Sequence, residues 1–156
     1  MTTRASLRIR SFGLDWSEMV QLYRHCDGYP TSVLPSLLRA YKLSGGGWEA
    51  GRPGKAAAFI CAEGVEDGYA AYEPESDLSY HGDEDWIYIL TLFNQHQGAI
   101  TENPEWIVQV YYTTQEFWDN PVISPLTARL IAVGPIQELA AKVKEIEQSA
   151  YKEVGA

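Results

Sequence analysis

The chain has 156 residues, 46% hydrophobic and 12% aromatic, with two cysteines and a formal net charge of −9. This describes a single folded domain over residues 1–156 with a sizeable core, and it excludes a disordered polymer and a disulfide-built scaffold. No apolar run approaches the roughly 18 residues that span a bilayer, and "MTTRASLRIRSF" lacks the features of a signal peptide, so a cytoplasmic protein without membrane contact is expected.

"ASLRIRSF" alternates, with Leu7 and Ile9 on one side and Arg8 and Arg10 on the other, as a half-buried strand does. "GLDW" reads as a turn into a second strand, "EMVQLYRH", paired with the first as a hairpin. Asp27-Gly28 signals another turn, and Tyr29 is held extended by Pro30. Thr31 or Ser32 then caps a helix to about Tyr41 with Val33, Leu34, Leu37, Leu38 and Tyr41 on its apolar face, Pro35 falling in the first turn. "LSGGGWEAGRPG" reads as a flexible connection to a second helix, "KAAAFICAE", which opens near Pro53 and stops at Gly64.

"GYAAYEP" is a short strand. "EDWIYILTLF" is apolar on both faces and reads as a central strand covered on both sides. A loop, "NQHQGAITENP", leads to its antiparallel neighbour, "EWIVQVYYTT". Residues 115–133 admit either a short helix at Ser124-Pro125 or a strand at "ARLIAV". Gly134-Pro135 opens an amphipathic C-terminal helix with Ile136, Leu139, Ala140, Val143, Ile146 and Ala150 on one stripe. The order strand, strand, helix, helix, three strands, helix predicts an α+β domain. Its single antiparallel or mixed sheet has about five strands with helices packed on it.

Nucleotide-binding motifs fail on context. Gly45, Gly47 and Ala50 follow a helix rather than a strand, and "GRPGKA" has Ala56 where a phosphate loop needs Ser or Thr. Cys26 is a weak nucleophile candidate, because His25 beside it points to the opposite face of an extended chain; a buried, space-filling Cys26 is expected instead. Two H-x-D pairs, His25/Asp27 and His81/Asp83, each put two side chains on one side of an extended segment, which suits a histidine–carboxylate dyad. These four are the catalytic candidates if the chain is an enzyme. Asp77, Asp83, Glu84 and Asp85 add oxygen donors, but no calcium- or zinc-type spacing exists, so no metal site and no cofactor is assigned.

"YRHCDGYP", Tyr23 to Pro30, followed by "TSVLPSLL", resembles a motif of small uncharacterised bacterial, archaeal and phage proteins that reads Y-R-H-aromatic-D-G-Y-P. "YEPESDLSYHGDEDWIYIL" is similar to a later stretch of the same family. The resemblance spans residues 19–93. It implies a grouping, with a phage or mobile-element association, and brings no activity. The chain departs from it at Cys26, where the family has an aromatic residue. Convergence of the two segments would form one pocket, with Arg24, Tyr29, Tyr80 and Trp86 as binding residues around the two H-x-D pairs.

Charge is spread unevenly. Residues 1–60 carry eight Lys/Arg against four Asp/Glu, residues 61–120 carry thirteen Asp/Glu and no Lys or Arg, and Lys55 and Arg129 bracket a 73-residue gap. Such a surface repels phosphates, so direct nucleic-acid binding is not expected, and it attracts basic partners. The sequence therefore leads to a protein-binding module with a basic protein partner. The alternative is a hydrolase or nucleotide-processing enzyme using the His/Asp residues, with or without a divalent cation. Oligomeric state is open.

Overall fold

A computed structural model describes residues 3–11, 19–66, 69–75, 84–96, 99–119 and 128–154. The fold is α+β, built on a mixed six-stranded sheet ordered β5-β2-β1-β6-β7-β8. β1 (Ala5–Ser11) and β2 (Val20–Arg24) form the expected antiparallel hairpin, with Leu7 opposite Leu22 and Arg8 opposite Gln21. β6 (Trp86–His96) lies parallel to β1 on one side and antiparallel to β7 (Ala99–Tyr112) on the other. It is the central strand its two apolar faces predict: Trp86, Tyr88, Leu90 and Leu92 are buried on one face, Ile87 and Ile89 on the other.

The helices α1 (Pro30–Leu43), α2 (Pro53–Glu63), α4 (Ile136–Ala141) and α5 (Val143–Val154) cover the face carrying Leu7, Ile9, Leu22, Tyr88, Leu90 and Val108. On the opposite face α3 (Gln115–Asp119) contributes Phe117, which packs on Ile87 and Tyr111. That second face also carries buried polar groups. Arg8, 3% exposed, donates from Nε and Nη2 to Gln21 Oε1 (3.0 and 2.7 Å), and the Ser6 hydroxyl bonds the buried Glu84 carboxylate. β1 is thus buried on both sides rather than half-buried, its arginine tolerated because it is hydrogen-bonded.

Several boundaries differ from the sequence reading, each for a local reason. The segment expected to loop at residues 94–104 continues both strands, with Gln95 opposite Ile100 and His96 opposite Ala99. α1 starts at Pro30, not at a Thr31 or Ser32 cap; its Ncap is Tyr29 and no side chain of its own caps it. Glu147 of α5 does so instead, accepting from the Thr31 N–H at 3.3 Å and its hydroxyl at 3.1 Å. A carboxylate from another element therefore meets the positive end of the helix. Pro35 consequently lies inside the helix, beyond its first turn, with no N–H to offer the Thr31 carbonyl.

The glycine-rich connection contains a 3-10 turn, Trp48–Gly51, that is packed rather than loose: Trp106 Nε1 donates to the Ala50 carbonyl (2.8 Å) and Ser11 to that of Gly51 (2.9 Å). "GYAAYEP" divides into β4 (Tyr69–Ala70), which pairs with β3 (Val65–Glu66), and β5 (Glu73–Glu75), which pairs with β2. Of the alternatives for residues 115–133, the strand is present as β8 (Arg129–Pro135); Ser124-Pro125 lies outside the described residues. Gly134 and Pro135 end that strand, and the last helix is interrupted at Lys142. No helix among the described residues is long and apolar enough to cross a membrane.

Burial holds the phenols of Tyr41, Tyr72, Tyr88, Tyr112 and Tyr151 above the ordinary tyrosine value, Tyr88 well above it and Tyr151 to about 12. A raised acid pKa means that the folded state keeps the proton longer than the unfolded chain. This stabilisation is complete below the unfolded value near 10 and is lost as pH rises through the folded values. Melting temperature is therefore expected to hold up to about pH 9 and to fall steadily above about pH 10, in step with phenolate absorbance. A flat melting temperature through about pH 11.5 would contradict this.

Candidate functional site

Four of the eight candidate site residues fall in the segment Tyr23 to Pro30, and the backbone separates them. Along β2 the side chains alternate, so Leu22 and Arg24 face the helices while Tyr23 and His25 face the other side, where their rings meet edge to face at 4.5 Å. At Asp27 the chain enters the left-handed region with φ 54°, which Asp tolerates better than most residues. The alternation behind the expected His25/Asp27 dyad stops there. His25 Nε2 lies 3.1 Å from Glu73 Oε2 on β5, both side chains well exposed, whereas Asp27 Oδ1 accepts from the Tyr29 hydroxyl at 2.9 Å. That carboxylate raises the Tyr29 pKa, first through the hydrogen bond and then through its charge.

Gly28 explains the turn. It does not carry the positive φ; it is pressed against β1, where an added Cβ would stand 2.9 Å from both Ala5 Cβ and the Arg4 carbonyl carbon. Its N–H donates to the Thr3 carbonyl at 2.9 Å, and its carbonyl accepts from the buried Tyr88 hydroxyl at 2.7 Å. Cys26, expected to be buried, is exposed, because it lies at the apex of the turn. Cys61 is partly buried, and burial raises its thiol pKa.

Arg24 is 8% exposed. Its Nε donates to the Cys26 carbonyl at 2.9 Å, closing the turn, and its guanidinium lies 4.9 Å from the Tyr72 ring centre. It lines a cleft of about 200 Å³ between the turn, α1 and the end of α2, together with Asp27, Thr31, Ser32, Ser36, Arg39 and Glu63. Arg39 Nε donates to Glu63 Oε1, while Glu63 Oε2 is buried with no hydrogen-bond partner among the described residues. Ser36 and Tyr72 share a hydroxyl hydrogen bond of 2.6 Å beneath the cleft. The sequence reading missed this site apart from Arg24 and Asp27. Ser36, Arg39 and Glu63 carry no motif, and only the packing of α1 on α2 brings them together.

Trp86 is 1% exposed; its ring packs on Tyr112 at 4.6 Å and on Tyr151 at 6.3 Å between centres, within the core under α5. Tyr80, His81 and Asp83 lie outside the described residues, as does Asp77. Glu84 and Asp85, offered above as cation donors, bond the Ser6 hydroxyl and the Arg4 N–H (3.2 Å), tying the start of β6 to β1.

The two edges of the sheet are built differently. β5 is three residues long and reads Glu-Pro-Glu, so it is short, acidic and partly unable to donate hydrogen bonds. β8 is seven residues long and carries Leu130, Ile131, Ala132 and Val133 in a row, with Leu130 and Val133 about half exposed at 49% and 56%. Its first residue, Arg129, donates from Nη2 to the Ala150 carbonyl of α5 at 2.7 Å and lies over the Tyr112 ring. No family model, curated protein or solved structure matches this chain.

Replacing Gly28 with Ala forces the turn off β1 and is expected to cost about 1–3 kcal/mol, as overpacking against backbone does. Tyr88→Phe leaves the buried Gly28 carbonyl without its donor, for a loss of about 1–3 kcal/mol. Cys26→Ala should stay within about 0.5 kcal/mol of the parent, as exposed positions do. Urea denaturation measures all three, and a Gly28→Ala protein as stable as the parent would refute this account of the turn.

Proposed function

We propose that the chain is a protein-binding module whose β8 edge takes an extended, basic segment of a partner as a seventh strand. The observation that carries this is the contrast between the edges. Unpaired strand edges bind other chains unless something blunts them. Here β5 is short, acidic and interrupted by proline, whereas β8, despite a bulge at Ile131 and Pro135 at its end, is longer and has an apolar run without a charge from Leu130 to Gly134. Main-chain hydrogen bonds would supply affinity, and exposed Leu130 and Val133 would contact alternate side chains of the added strand. Tyr151, 41% exposed and stacked edge to face on Tyr112, offers an aromatic anchor near the start of the edge.

The net charge of −9, with its 73-residue interval free of Lys and Arg, favours a basic partner over an acidic one and over nucleic acid. It also disfavours a second copy of the chain. Two free cysteines agree with a cytoplasmic setting. The enzymatic alternative lacks its first dyad, since His25 engages Glu73 and Asp27 engages Tyr29.

Selection of short random peptides on the immobilised protein tests the proposal. The expected winners alternate apolar residues with Lys or Arg, bind more weakly as salt is raised, and slow amide exchange at residues 129–134. Val133→Lys, at a half-exposed position the fold tolerates, should weaken them about tenfold, or about 1.4 kcal/mol. Winners without basic residues, undiminished binding to Val133→Lys, or self-association through this edge would each overturn the reading.

A further inference from the structure

The cleft beside Arg24 holds charges that its own walls do not match. Arg24 is more than nine-tenths buried, yet its recorded partners are neutral, the Cys26 carbonyl and the Tyr72 ring and hydroxyl, and no described carboxylate lies within ion-pair distance. Buried guanidinium groups are ordinarily paired, because removing an isolated charge from water costs several kcal/mol. The same cleft also has an acceptor without a donor. Glu63 Oε2 is buried and unpartnered among the described residues. The N-terminus of α1 does not explain the site, since Glu147 already occupies the Thr31 amide and the Ser32 N–H turns to the Tyr29 carbonyl at 3.0 Å.

We propose that this cleft binds a small zwitterion of the α-amino-acid class, its carboxylate on Arg24 and its ammonium group on Glu63. Both charges are required of the ligand. A plain oxyanion would meet Arg24 but also the carboxylates of Asp27 and Glu63; a plain amine would meet a buried guanidinium. The hydroxyls of Thr31, Ser32 and Ser36 add donors and acceptors that suit either end. A volume of about 200 Å³ is below the range of drug-sized or nucleotide pockets and suits a single small metabolite. Arg39, whose side chain is 55% exposed and bonded to Glu63, can release that carboxylate to a stronger cation by swinging into solvent. This proposal does not depend on the β8 edge, which lies at the far end of the sheet order from β2.

Calorimetric titration with the common amino acids one at a time, with their des-amino and decarboxylated counterparts, and with acetate and inorganic phosphate, decides it. At least one amino acid should bind, and bind at least tenfold more tightly than either counterpart, with acetate and phosphate weaker still. Glu63→Gln preserves shape and should erase the preference for the amine while leaving the des-amino acid bound as before. Arg24→Lys should weaken the amino acid at least tenfold. Because Arg24 also closes the turn, circular dichroism and melting temperature verify folding of that variant, and Glu63→Gln gives an independent reading. Absence of binding by any amino acid, equal binding of acetate or phosphate, or an amine preference that survives in Glu63→Gln would each overturn the proposal.

Discussion

The phenol of Tyr88 sits on the central strand, fully buried under the helices, and has a single polar atom to satisfy there. It bonds the carbonyl of Gly28, sixty positions earlier in the chain, at 2.7 Å. A buried hydroxyl and a buried carbonyl each cost about 1–3 kcal/mol if left unpaired, so the pair constrains both sides. It holds the turn after β2 against the end of β1, where only glycine fits. With the turn placed, Asp27 is forced into the left-handed region, Tyr29 into extended backbone at the helix Ncap, and Pro30 into the first position of α1. The direction in which α1 leaves the sheet, and hence the wall of the Arg24 cleft, follows from this one hydrogen bond and the glycine beneath it.

The same economy recurs where long-range polar contacts replace local ones. α1 has no cap of its own, and Glu147 supplies one from α5 across 116 residues of sequence. β8 is fastened to α5 through Arg129, whose guanidinium reaches a carbonyl near the helix's C-terminal end, the end that favours cations. Ser6 bonds Glu84 just ahead of β6, and Arg8 and Gln21, and Arg10 Nε and Thr91 Oγ1 (3.0 Å), pair across adjacent strands on the same face. Contacts of this kind give the sheet a fixed register, because a one-residue slip would bury each partner alone.

Periodicity made legible whatever depended on neighbours in sequence. The apolar double face of residues 86–93 marked the central strand, and the alternation in residues 5–10 marked its parallel neighbour, though not that the arginine face would also be covered. The amphipathic spacing of Ile136, Leu139, Ile146 and Ala150 marked the last helices but not their break at Lys142. What the sequence left hidden depends on contacts between distant segments. The glycine-rich stretch reads as a linker until Trp106 is found bonded to Ala50, and residues 94–104 read as a loop until their mutual pairing extends two strands. For the site, the H-x-D spacing was a sound guide only while the backbone stayed extended. One residue at φ 54° sends His25 and Asp27 to different partners.

The contrast with which the chain treats its polar groups bears on where function resides. On the second face of the sheet, buried Arg8 has the side-chain amide of Gln21, and Ser6 has Glu84, so those polar groups have protein partners and read as structure. His25 and Glu73 form an exposed pair, which contributes little to stability and leaves both groups in water. Arg24 differs from all of these. It is as buried as the structural polar residues, but no described carboxylate lies within ion-pair distance of it, and it opens onto a cleft. The fold pairs several buried polar groups across long stretches of chain, as Tyr88 with Gly28, yet sets no described carboxylate against Arg24. Glu63 lines the same cleft and is bonded to Arg39 instead. Set beside the buried Glu63 Oε2, this guanidinium is the group that the proposed ligand would meet.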